Sequence, residues 1–126
     1  MGFSTATLAV RSMDTSKFVE LAEAHSTYNA SGDYSKRAVR HANLVADELR
    51  VMMLSAFTDI QETEALFALL DQPAAGSWIA FCALENLDVA EPHKTHCLEV
   101  IRALARGSSM NGVGAKFWLS RHGYDG

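Results

Sequence analysis

Residues 65–87 read ALFALLDQPAAGSWIAFCALENL, and this stretch decides the fold. Its first part keeps Ala65, Leu66, Leu69 and Leu70 at helical spacing up to Asp71. It ends at Pro73, which cannot continue a helix and biases its predecessor away from helical geometry. The second part opens at Gly76 and runs S-W-I-A-F-C-A-L, apolar on nearly every side, as a helix packed between neighbours must be. Two helices, about 61–71 and 76–87, are therefore expected around a short Pro–Gly break, with the second at the centre of the core.

On the N-terminal side, Gly32 separates two more helix-length pieces. The first begins at Asp14, a good N-cap, and repeats Phe18, Leu21, Ala22, His25 and Tyr28 on one face. In the second, capped by Asp33, a stripe of Ala38, Ala42, Val45, Leu49 and Met52 faces inward, and Lys36, Arg37, Arg40 and Arg50 are left for solvent. On the C-terminal side, Pro92 is placed to start a fifth helix with Leu98, Ile101, Leu104 and Ala105 inside, running to Gly107. A final helix, about 113–121, is expected to bury Val113, Phe117 and Trp118. Alternation of apolar and polar residues, the mark of a strand, shows only weakly at Thr5 to Val10. The reading is all-α, with six helices in three antiparallel pairs forming one domain over 14–126 behind an extension of residues 1–13.

The pairs, one member more polar and the other more apolar, are similar to the right-handed stacks of HEAT and armadillo repeats. The order of features is more specific. G-D-Y at 32–34 opens a basic amphipathic helix, followed by E-L-R at 48–50, A-L-F-A-L-L-D at 65–71, W-I-A-F-C-A-L at 78–84, a Leu-rich helix, and A-K-F-W-L at 115–119 after a Gly-containing turn. This series resembles a family of small bacterial HEAT-like domains of unknown function over about residues 14–122. The resemblance implies the helical fold and a link to polymorphic toxins, since some helical-repeat proteins of this size are immunity proteins. It carries over no catalytic residue. The chain departs from the pattern at Gly76-Ser77-Trp78, where HEAT-like families often place Arg or Val.

Composition restricts function further. The 126 residues are 48% hydrophobic and 21% charged, which suits one globular domain and excludes disorder. Two cysteines, Cys82 and Cys97, are too few for a disulfide framework. The start lacks the basic and apolar regions of a signal peptide, Ala6 stands where a myristoylation motif wants Ser or Thr, and the longest nearly apolar run, Trp78 to Leu84, is far short of a membrane span. A cytoplasmic protein that uses no cofactor is the expectation. The net charge of −4 argues against a backbone-binding nucleic-acid module. It is also unevenly placed. Residues 51–93 hold Asp59, Glu62, Glu64, Asp71, Glu85, Asp88 and Glu91 with no Lys or Arg, whereas the first 50 residues are neutral and the last 33 are basic by three.

Asp59, Glu62 and Glu64 answer a helix dipole, but Asp71, Glu85 and Asp88 fall at helix C-terminal ends, where negative charge is unfavourable. Such a cost is explained either by solubility or by a basic partner that the field steers and holds. The sequence thus points to a non-enzymatic binding protein, most concretely an immunity protein that occludes a toxin's active site. Its expected contacts are Glu62, Glu64, Asp71, Trp78, Glu85 and Asp88. Two rivals stand beside it. His93, His96 and Cys97 share a helix face and offer metal-ligand chemistry, although the fourth ligand of a structural zinc site is missing unless Cys82 supplies it. Lys36, Arg37, Arg40 and His41 form a basic face suited to phosphates, against which stands the overall charge. His25-Ser26 has no nucleophile motif around it, and Asn111-Gly112-Val113-Gly114 reads as a tight loop rather than a phosphate cradle. Oligomeric state is left open.

Overall fold

The computed structural model describes residues 13–107 and 110–124, and the weak strand pattern at Thr5 to Val10 lies outside them. The described residues form six helices and no strand: α1 (Thr15–Ser31), α2 (Lys36–Ala56), α3 (Ile60–Phe67), α4 (Gly76–Asn86), α5 (His93–Ala105) and α6 (Met110–Arg121). Contacts divide the chain into two units, Met1–Leu66 and Phe67–Gly126.

In the first unit α1 packs on α2. Asp14 caps α1 as its sequence position suggests, its carboxylate accepting the Lys17 N–H at 3.0 Å. Gly32, at φ 73°, closes that helix in the left-handed conformation that a side chain would resist. The cap of α2 is Ser35, whose hydroxyl accepts the Ala38 N–H at 3.2 Å. Asp33 does not fill that place because its carboxylate is bound one step earlier, to the Ser35 N–H at 3.0 Å. Phe18 and Ala22 from α1 are buried, as are Ala42, Val45, Leu49, Met53 and Ala56 from α2. Met53 thus takes the inward position expected of Met52, which is half-buried.

α3 is shorter than the expected 61–71. Asp59 caps it by accepting the Glu62 N–H at 3.0 Å, and helical geometry ends at Phe67. The chain then turns through 68–75, where the Gln72 side-chain oxygen accepts the N–H groups of both Ala74 and Ala75 at 2.8 Å. Pro73 forbids a continuous helix here, and Gly76 is required because a Cβ would collide with the Leu70 carbonyl oxygen.

In the second unit α5 packs against both α4 and α6, so α5 rather than α4 holds the central place. Gly76, Ile79, Ala80 and Ala83 of α4 are buried, together with Cys97, Leu98, Ile101 and Ala105 of α5. α5 starts one residue after Pro92, its N-cap, and the Glu91 carboxylate accepts the Thr95 N–H at 3.0 Å and its hydroxyl at 2.6 Å. Those bonds hold the Glu91 carboxyl below the usual carboxylate range.

α6 departs most from expectation. Asn111-Gly112-Val113-Gly114 lies inside the helix instead of in a loop. Its buried face is Gly112, Ala115 and Leu119, with Trp118 half-buried beside them. Val113 and Phe117, expected inside, are 46% and 68% exposed. Gly112 is the reason: the space for a Cβ there is occupied by the carbonyl oxygens of Leu104 and Gly107. Small residues admit that close approach, and the large apolar ones turn outward.

Candidate functional site

The acidic residues expected to meet a partner divide between the units. In the first, Glu62 is half-buried in the opening turn of α3 and Glu64 is exposed. In the second, Asp71 lies in the turn after α3, Glu85 near the end of α4 and Asp88 beyond it, all three exposed. Trp78 is half-buried and stands seven residues, about two turns, before Glu85, so both share one side of α4.

Two of these carboxylates are hydrogen-bonded by rings. Asp71 is 85% exposed at its side chain, yet His96 Nε2 approaches Oδ1 to 2.7 Å. A carboxylate accepts, so that nitrogen donates. Glu85 accepts from Trp118 Nε1 at 3.2 Å. Trp118 is held in turn by an edge contact with Phe81 at 5.3 Å and by stacking on His122 at 4.1 Å and Tyr124 at 5.9 Å. His122 Nδ1 lies 2.8 Å from the Trp118 carbonyl oxygen, which obliges it to donate and fixes the tautomer with the proton on Nδ1. Lys94 Nζ sits 5.9 Å over the Tyr124 ring, and Arg102 donates to the Tyr124 carbonyl at 3.3 Å. Each ring confines one carboxylate oxygen and leaves the rest of the group open, a preorganised display of negative charge.

The proposed metal ligands do not form a set. His93 stacks on Phe67 with ring centroids 4.4 Å apart, His96 is engaged by Asp71, and Cys97 is in the core with no exposed surface. Burial pushes the Cys97 thiol up to about 11, away from the thiolate that a metal or a nucleophilic reaction needs. Among the described residues no group of three or more His, Cys, Asp or Glu is placed to hold a metal ion. His25 is half-buried, its ring 6.1 Å from that of Tyr28, and burial lowers its pKa.

The sequence reading missed two features. One is the ring cluster around Trp118, which depends on partners far along the chain. The other is on α2. Leu44, Val51 and Leu54 are 62%, 66% and 43% exposed, on the side opposite the buried stripe. The signal was present as Leu44 and Val51 spaced seven apart and off the inward face. Lys36, Arg37, Arg40 and His41 are all exposed on the same helix.

No known protein family, curated protein or solved structure matches this chain. Among the described residues no helix is long and apolar enough to cross a membrane.

Proposed function

We propose that this chain is a non-enzymatic binding protein that neutralises a basic bacterial toxin by covering its active site. The observation that carries this reading is the display of Asp71 and Glu85, exposed carboxylates each held by one hydrogen bond from a ring, that of His96 and that of Trp118. A carboxylate fixed before contact loses less side-chain freedom on binding, which favours affinity for a complementary cation. Asp88 extends the same charge, and Trp78 on the Glu85 side of α4 is the aromatic anchor. Phe117, beside Trp118, adds exposed apolar surface. Glu62 and Glu64 carry further negative charge on the first unit.

The test is functional. The chain is purified and added at equal concentration to each basic protein that its neighbouring genes are found to encode, and toxic activity is measured; a neighbourhood that encodes none counts against the reading. Loss of activity at stoichiometric addition supports the reading. Unchanged activity, with no complex on gel filtration, refutes it. The basic face of α2 supplies the contrast: duplex DNA that binds in low salt through Arg37 and Arg40 would place the function there instead.

A further inference from the structure

α2 carries two apolar stripes. One is buried in its own unit, and the other, made by Leu44, Val51 and Leu54, is exposed. Exposed apolar residues gathered on one side of a helix are a candidate contact surface. Its flanking charges indicate what covers it. Arg40 and Glu48 each lie four residues from Leu44, on opposite sides, about 6 Å along the axis. His41 and Asp47 are placed likewise at three residues, and Arg37 and Val51 at seven. The sequence around Leu44 is thus charge-complementary to itself when reversed.

We propose that the outer face of α2 pairs with the same face of a second copy of this chain, antiparallel, about a two-fold axis at Leu44. Leu44 then meets its own copy, Arg40 of each chain faces Glu48 of the other, and Asp47 faces His41. Val51 packs on the aliphatic stem of Arg37, a common use of that side chain. No acid meets an acid. The arrangement also answers a local cost. The first turn of α2 contains no acidic residue, and Lys36, Arg37 and Arg40 oppose the helix dipole. A carboxylate from a second chain compensates them. The existing pairs, Lys17 with Glu48 at 2.9 Å and Asp47 with Arg50 at 3.1 Å, each engage one oxygen, Glu48 Oε1 and Asp47 Oδ1, and leave the other for the second copy. A single helix pair buries less than the roughly 1,200 Å² of a stable complex, so the association is a weak and reversible one.

The test is sedimentation velocity on the full chain from about 1 to 500 µM, a range chosen for a weak interface. The average mass is expected to climb from 13.7 kDa toward twice that value. L44E, at an exposed position, abolishes the rise and leaves the helical circular dichroism intact. R40E and E48R each weaken self-association at least tenfold, and mixing the two restores it, because both ion pairs re-form in the heterodimer. A wild-type mass constant at 13.7 kDa over the whole range overturns the proposal. So does a mixture of R40E and E48R that associates no better than either alone. Should E48R lose its fold through the loss of the Lys17 contact, the comparison of wild type with L44E and R40E still decides.

Discussion

Raising the pH should destabilise this protein through one thiol. Cys97 has no exposed surface, and burial moves its pKa from 9.0 to about 11. Between those values the unfolded chain releases the thiol proton and the folded chain keeps it. The folded state then binds more protons, so the stabilisation is complete below pH 9 and is lost as pH rises toward 11. At about 1.36 kcal/mol per pH unit, the two-unit gap makes the loss about 3 kcal/mol. The informative quantity is the difference from Cys97→Ala, in which contributions common to both proteins cancel. That variant leaves a small cavity and is expected to be less stable at neutral pH by about 1–2 kcal/mol. Since it has no thiol to ionise, the gap should close and reverse before pH 11. Urea unfolding of both proteins at pH 7.5, 9, 10 and 11 measures it. A gap constant over the whole range would refute the reasoning. So would alkylation of Cys97 in the folded protein at pH 8 as fast as a free thiol, which would return this residue to the candidates for metal binding or catalysis.

Five further substitutions, at four positions, probe the packing and one helix cap. Gly112→Ala drives a methyl into the carbonyls of Leu104 and Gly107 and is expected to cost about 1–3 kcal/mol in urea unfolding, whereas Gly114→Ala, with open space around it, is neutral or stabilising. Trp118→Ala removes the ring on which Phe81, His122 and Tyr124 converge and should cost about 3 kcal/mol. Trp118→Phe keeps most of that packing but frees Glu85, so it should lower partner affinity more than stability. Ser35→Ala removes the α2 cap and is worth about 1 kcal/mol by thermal melting.

The helical content was legible because its punctuation is strong: Gly32, Gly76 and Pro92 stand at or beside element boundaries, Pro73 lies in the turn between α3 and α4, and the Asp14 cap is used as expected. Distances along the chain set the limit. Asp71 and Glu85 stood out by charge, but His96 lies 25 residues from the first and Trp118 lies 33 from the second, and no local pattern joins them. α6 misled for a physical reason. Val113 and Phe117 look inward to any count of apolar size, yet the helix meets its neighbours through Gly112 and Ala115, where small size permits contact. On α2 the inward stripe was readable and hid the outward one. The same His93, His96 and Cys97 that suggest a metal by spacing are drawn apart by three different neighbours: an aromatic ring, a carboxylate and the core.

The most direct measurement is calorimetric titration of a basic toxin, identified by loss of its activity on stoichiometric addition of this chain, with this chain and with its D71N/E85Q/D88N variant, each at 50 and 300 mM salt. The variant is expected to bind at least about tenfold more weakly at low salt, with the difference shrinking at high salt, where exposed charges are screened. Equal affinities for the two proteins at both salt concentrations would contradict the proposed function.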